Sequence, residues 1–279
     1  MPKPPRNRSW FQRRGSKLPS QARGSGARFT NPGAQADHAL LHGFHAASAA
    51  LANPSREIRR VLVTEAAAPR LAGALEARGL EATIVEARDL DKQLGTDTVH
   101  QGMLVEAEFL AEPGLDELCV PAPNGSPPLV LVLDQVTDPH NVGAILRSAA
   151  VFGVSGLIMT RQHSPPLSGV LAKAASGALE LIPVALVTNL ARAMEELADL
   201  GVFRIGLDGD AAEVLETQSA AGPAALVLGA EGKGLRRLTR ENCDMLCRIS
   251  TFGQLRSLNV SNAAAVALHT LRTARARLG

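Results

Sequence analysis

Two short loops hold the residue types in this 279-residue chain that most invite chemistry. The first follows the apolar run 226–228 and sets Gly229, Gly232 and Gly234 around one carboxylate, Glu231. The second, 250–259, follows the apolar run 245–249 and feeds directly into a long Ala-rich helix. Two strand ends of this kind, each followed by a glycine-containing or polar loop, can build a cofactor crevice at the carboxyl edge of an open α/β sheet. Two ordinary strand-to-helix turns would read the same way. Familiar nucleotide cradles are missing: no G-x-G-x-x-G follows the first strand of this half, and no G-x-x-x-x-G-K-[ST] occurs anywhere. Metal chemistry finds no support either, since His42, His45 and His100 are far apart and show no ligand spacing. Cys119, Cys243 and Cys247 make neither a disulfide framework nor a zinc set, which fits a reducing cytosol. If helical, Cys243 and Cys247 would sit one turn apart as packed thiols.

The elements that must position these loops alternate in period. The continuous apolar run 129–133 is the pattern of a parallel strand buried on both faces, and Asp134 ends it. Asp138 and Pro139 make a turn into a helix over 142–152, which carries Arg147 in its second turn and stops at Gly153. Strand and helix segments follow at 156–159, 169–176, 181–187, 190–200 and 202–207, a βαβ alternation that predicts a parallel sheet over 129–279. Ahead of it, 37–110 reads as a small α/β domain. There 42–51 is the opening helix, 58–64 a strand, 67–78 a helix closed by Gly79, 81–87 a strand, 89–94 a helix and 102–109 a strand that His100 and Gln101 begin. The stretch 111–128, with Pro113, Pro121, Pro123, Pro127 and Pro128, reads as a linker.

Net charge is only +2, unevenly placed. Residues 1–36 carry Lys3, Arg6, Arg8, Arg13, Arg14, Lys17, Arg23 and Arg28 and no acid, the composition of a basic disordered arm able to grip phosphates. A solvated tail without a partner, or an organelle transit peptide, would have similar composition, although the many Gly and Pro residues spoil the amphipathic helix a transit peptide needs. No apolar run approaches the length that spans a bilayer, so no membrane partner and a cytoplasmic location are expected.

Three separated blocks resemble one family. Asp134, Val136, Asp138, Pro139, Asn141, Gly143, Arg147, Ser148 and Ala149 match its first motif. Gly229, Glu231, Gly234 and Leu235 match the second, and Ser257, Leu258, Asn259, Val260 and Ser261 the third. The chain resembles the SpoU (TrmH-like) branch of the SPOUT RNA 2′-O-ribose methyltransferases over roughly residues 38–279. Its front part is similar to the L30e/L7Ae-like substrate-binding domain of that branch, down to His100, Gln101 and Gly102. The segments 176–198 and 229–244 look closest to the bacterial 23S rRNA guanosine-2′-O-methyltransferase group.

The resemblance implies a SPOUT domain with a parallel sheet and a deep trefoil knot, which rules against threaded chains would not have suggested. It implies S-adenosylmethionine (SAM) as methyl donor, with Gly229, Ile249 and Leu258 as its contacts, and no metal. Asn141 and Asn259 would orient the ribose hydroxyl, Glu231 would accept its proton or order the loop, and Ser257 would bind phosphate or ribose. Arg147 would act less as a base, since a guanidinium stays protonated above about pH 12, than as a clamp on phosphate and nascent oxyanion. One departure stands out: the family usually has Ile-Pro-Met before the third motif, whereas Ile249 here precedes Ser250 and Thr251, and Arg256 precedes Ser257. Losing proline removes a rigid φ from the cofactor loop and leaves weaker cofactor binding or altered substrate preference open. The resemblance also implies a C2 homodimer in which Arg147 serves a site shared with the partner protomer. The helix 260–278 carries a stripe of Val260, Ala264, Ala267, Leu268, Leu271, Ala274 and Leu278 that would meet either that partner or the chain's own sheet. Methylation of a guanosine in 23S rRNA is the leading expectation. A tRNA ribose methyltransferase and a non-catalytic RNA-binding ribosome-assembly factor are the alternatives.

Overall fold

In the computed structural model of the protein, residues 11–12, 38–218, 221–254 and 257–277 are described. The rest of the basic segment 1–36, together with Arg256 and Leu278, lies outside the described residues. The chain divides into two compact units, Met1–Leu110 and Ala111–Gly279.

The first unit runs β1 (Phe11–Gln12), β2 (Ala39–His42), α1 (Phe44–Ala52), β3 (Ile58–Val63), α2 (Ala68–Arg78), β4 (Ala82–Ile84), α3 (Ala87–Leu94) and β5 (Met103–Ala107). Its sheet has the order β1-β4-β3-β5-β2, with β5 antiparallel to both of its neighbours. Strand β5 is buried throughout, which its run of Met103, Leu104 and Val105 explains. Gly79 closes α2 in the left-handed conformation (φ 63°) that glycine adopts without a Cβ penalty. Two sequence readings shift here. A strand, Ala39–His42, precedes the first helix, which starts only at Phe44. His100 and Gln101 form the turn ahead of β5, with Gln101 at φ 54° and Gly102 at φ 74°.

The second unit contains α4 (Leu115–Leu118), β6 (Leu129–Asp134), α5 (Pro139–Val151), β7 (Gly156–Thr160), α6 (Gly169–Ala174), β8 (Val184–Val187), α7 (Leu190–Asp199), β9 (Phe203–Leu207), β10 (Glu213–Val214), β11 (Ala224–Gly229), α8 (Arg237–Glu241), β12 (Met245–Arg248) and α9 (Val260–Ala276). The sheet order is β10-β12-β9-β11-β6-β7-β8, and every pairing is parallel. From β6 the chain first builds outward through β7 and β8. It then returns on the other side of β6, where β11 inserts between β6 and β9. Such a reversal of direction opens a crevice at the carboxyl ends of the strands.

Both faces of this sheet are covered, as the apolar strands require. On one face Val130, Val132, Ile158 and Val227 pack with Leu190, Met194 and Leu197 of α7 and with Leu115 and Leu118 of α4. The proline-rich stretch thus contributes a helical turn to this core. Burying a leucine such as Leu118 contributes about 1.5–3 kcal/mol, and a Cβ on Gly156 would collide with that side chain. On the other face α9 packs against α5 and β11. Val260, Ala264, Ala267, Leu268 and Leu271 are all buried within the single chain. The apolar stripe of the last helix therefore meets the protein's own core, which corrects the expectation that these residues form a partner face. Cys247 lies on β12 and Cys243 on the turn before it, so the two do not share a helix.

Candidate active site

The carboxyl ends of β6, β9, β11 and β12 face one side of the sheet, and their loops enclose two adjoining cavities. The larger, of about 510 Å³, is bordered by Asp208, Gly229, Glu231, Ile249, Ser257 and Leu258. The smaller, of about 430 Å³, is bordered by Gln135, Asn141, His163, Glu231 and Lys233. Glu231 borders both.

The first loop turns sharply because its glycines permit it. Gly232 (φ 77°) and Gly234 (φ 66°) take left-handed conformations, and the Gly234 N–H donates to the Ala230 carbonyl at 2.8 Å. This fold-back lays the Gly234–Leu235 backbone against Gly229, where any Cβ would run into main-chain atoms. Gly229 is thus required by close backbone approach. The loop is anchored at its far end by Asp134, fully buried at the tip of β6. One carboxylate oxygen of Asp134 accepts from Arg236 Nε at 2.6 Å and the other from the Arg236 backbone N–H at 2.9 Å. A buried carboxylate is tolerable only when paired in this way.

The three motif blocks meet in one hydrogen-bonded cluster. Asn259, at the start of α9, donates from Nδ2 to Asn141 Oδ1 at 2.9 Å and reaches Glu231 Oε2 at 3.4 Å. Its Oδ1 accepts from the Ser261 N–H at 2.9 Å and from Ser261 Oγ at 2.6 Å, capping the helix and fixing the side-chain rotamer. Asn141 is held in the first turn of α5, which Asp138 caps by accepting the His140 N–H at 2.9 Å, with Pro139 at the first helical position. The cluster presents neutral amides and one carboxylate, groups that can orient a hydroxyl and receive its proton.

Arg147 is not part of this cluster. It is exposed, borders neither cavity, and has no hydrogen-bond or ion-pair partner among the described residues. Ser257 lies on the exposed rim of the larger cavity, where Ile249 and Leu258 supply apolar wall.

Sequence reasoning missed several groups here. Asp208, at the end of β9, pairs with Arg240 beside the larger cavity. The Arg248 guanidinium donates to the Ala211 carbonyl at 2.7 Å and also to that of Ala212. The Ser250 N–H donates to Glu216 Oε1 at 3.0 Å. Proline could not make this last bond, so a hydrogen bond stands where a rigid ring was expected. Burial pushes the Cys243 thiol up to about 12, which leaves it an inert core group. Among the described residues there is no group of three or more His, Cys, Asp or Glu placed to hold a metal, and no helix is long and apolar enough to cross a membrane.

Comparison with known proteins agrees with this geometry. The family described as SpoU rRNA Methylase matches residues 128–269, and the domain described as RNA 2′-O ribose methyltransferase substrate binding matches residues 40–113. The chain is 44% identical over 236 residues to the 23S rRNA (guanosine-2′-O-)-methyltransferase RlmB of Ralstonia nicotianae, covering 82% of this chain and 93% of that protein. It is 39% identical over 235 residues to RlmB of Pseudomonas putida, covering 82% and 93%. Among solved structures, the SpoU methyltransferase AviRb of Streptomyces viridochromogenes superposes with a TM-score of 0.73 at 24% identity, covering 87% of this chain and 91% of AviRb, which shows a shared fold. On the family match and the identity to these relatives, the chain belongs to the SpoU rRNA methylase family.

Proposed function

We propose that this protein transfers a methyl group from SAM to the ribose 2′-hydroxyl of a guanosine in 23S rRNA. The observation that carries the reading is the meeting of Asn141, Glu231 and Asn259, remote in sequence, where Glu231 borders both cavities and Asn141 the smaller one. The activity of relatives about 40% identical over most of both chains supports the reaction and the substrate. The larger cavity fits the donor in size and character: about 510 Å³, within the usual range for small-molecule sites. Ile249 and Leu258 give it apolar wall for an adenine, and Asp210 and Glu231 give it carboxylates, beside the cationic Lys233, Arg240 and Arg248. When bound, SAM supplies an electrophilic methyl on a sulfonium.

Around that methyl the chain's own residues position and deprotonate the acceptor. Asn141 and Asn259 hold the 2′-hydroxyl in line, and Glu231, the one ionisable member of the cluster, takes its proton. The hydroxyl oxygen bonds to the methyl carbon as the carbon–sulfur bond breaks, its electron pair leaving on sulfur. Ser257 at the rim holds the backbone of the RNA. Arg147, exposed on α5, serves as a phosphate clamp in the site of a second protomer, so that the working unit is a homodimer in the cytoplasm. Its guanidinium, without a partner among the described residues, supports this role. The dimer face is the solvent side of α5 and α9, where Val151 and Val266 are exposed. The front unit holds the RNA. The test is mass-spectrometric mapping of ribose methylation in 23S rRNA and tRNA from a strain lacking the gene. Loss of a single 2′-O-methylguanosine from 23S rRNA is expected, and loss of a tRNA mark would redirect the proposal.

A further inference from the structure

The smaller cavity lies beside the amide–carboxylate cluster, on the α5 side of Glu231. Its walls mix polar side chains with the apolar Val136, Ala230 and Val260. Gln135, His163 and Lys233 all border it, and none of these side chains has a hydrogen-bond or ion-pair partner among the described residues. Thr137 and Asp138 complete the same wall, and Asp138 has spent only one oxygen on capping α5.

Two of these residues are also held in an unusual backbone conformation. Gln135 (φ 59°) and His163 (φ 65°) are left-handed without being glycine. Such conformations are strained for residues that carry a Cβ and persist where the surrounding structure imposes them. Gln135 directly follows the buried anchor Asp134. His163 follows Gln162, whose carbonyl accepts from Thr160 Oγ1 at 2.7 Å. Both are therefore pinned from behind while their side chains face open space.

We infer that this cavity is the pocket for the target nucleoside of the reaction proposed above, and that it reads a guanine by the edge of the base. An enzyme that modifies a nucleotide takes it out of the stack and reads it by its hydrogen-bonding edges. A volume of about 430 Å³ is in the range of ligand pockets. Lys233 and His163 supply donors for the O6 and N7 acceptors of guanine. Gln135 and Asp138 supply acceptors for its N1–H and N2 amino groups. A base seated there leaves its ribose at the border with the larger cavity, beside Asn141 and Glu231. The two cavities then hold acceptor and donor on opposite sides of the cluster that joins them.

The inference rests on the methyltransferase reading, and the experiment separates the two. Full-length His163→Ala and Lys233→Gln proteins are assayed with tritiated SAM and with 23S rRNA extracted from a strain lacking the gene. The wild type serves as reference, and SAM affinity is measured by calorimetry. Each variant is expected to raise KM for the rRNA about tenfold, one hydrogen bond to the base; SAM affinity should hold within about twofold in His163→Ala, whereas Lys233 also borders the larger cavity. His163→Gln, which retains a donor, should recover most of the loss. A wild type that incorporates no methyl would refute the reaction itself. An active wild type with unchanged KM in both variants would overturn the pocket assignment, as would a His163→Ala protein whose SAM affinity falls in step with KM.

Discussion

Asp134→Asn is the perturbation whose size follows most directly from the geometry. The wild-type carboxylate presents one oxygen to Arg236 Nε at 2.6 Å and the other to the Arg236 backbone N–H at 2.9 Å. An amide of the same shape has a single acceptor oxygen, so one N–H must face an NH2 group in a fully buried position. Losing a hydrogen bond to a charged group costs about 1.5–3 kcal/mol. Because the Arg236 side chain is about half exposed and can return to water, the lower part of that range applies. A loss of about 1.5–2 kcal/mol lowers Tm by about 3–8 °C in a domain of this size. The same bonds dock the loop that carries Gly229 and Glu231, so SAM affinity should fall by up to about tenfold. Scanning fluorimetry and titration calorimetry on one protein preparation read both effects. A Tm within 1 °C of wild type (well under the ~3 °C expected) together with unchanged SAM affinity would refute the anchoring argument.

Three further outcomes are expected. Asn141→Ala and Arg147→Ala should each abolish methylation while SAM affinity stays within a few-fold; mixing the two inactive proteins should restore part of the activity if Arg147 serves the partner's site, and no recovery would refute sharing. Glu216→Ala should weaken SAM binding by releasing the Ser250 N–H between the cavity-lining Ile249 and Thr251, and Glu216→Gln, which keeps an acceptor oxygen, should restore it; equal losses in both would contradict the brace. Native protein at pH 8 should resist thiol alkylation at Cys243, whose pKa is pushed up to about 12 by burial, whereas unfolded protein should react. Since the folded thiol keeps its proton above the ordinary value of 9.0, its contribution to stability falls as pH rises past that value. Rapid native labelling would show the site to be open.

Much of the second unit was legible because its signals are local. The uninterrupted apolar run ending at Asp134, the Asp138–Pro139 helix start and the glycines after 228 each carry their structural meaning in a few residues. What was not legible depends on distant partners. The four residues of β2 are too few to show a strand period, and α4 is hidden because its two buried leucines sit among prolines. The stripe on α9 read correctly as an apolar face, but periodicity cannot say whether a helix face meets its own sheet or another molecule. In the site, Glu231 stood out as the one carboxylate in its glycine loop, Asn141 and Asn259 only through their family motifs, and their mutual hydrogen bonds depend on the fold. Gln135 and His163 carried no sequence signal, since a left-handed glutamine or histidine looks like any other. The Ser250–Glu216 bond likewise spans 34 residues.

The most direct test of the central claim uses purified wild-type and Asn141→Ala proteins with labelled SAM and 23S rRNA lacking the modification. Nuclease digestion and mass spectrometry then identify the product. The account predicts one 2′-O-methylguanosine from the wild type and none from Asn141→Ala, at comparable SAM affinity. A methyl group on a base nitrogen or carbon, or equal incorporation by both proteins, would contradict it.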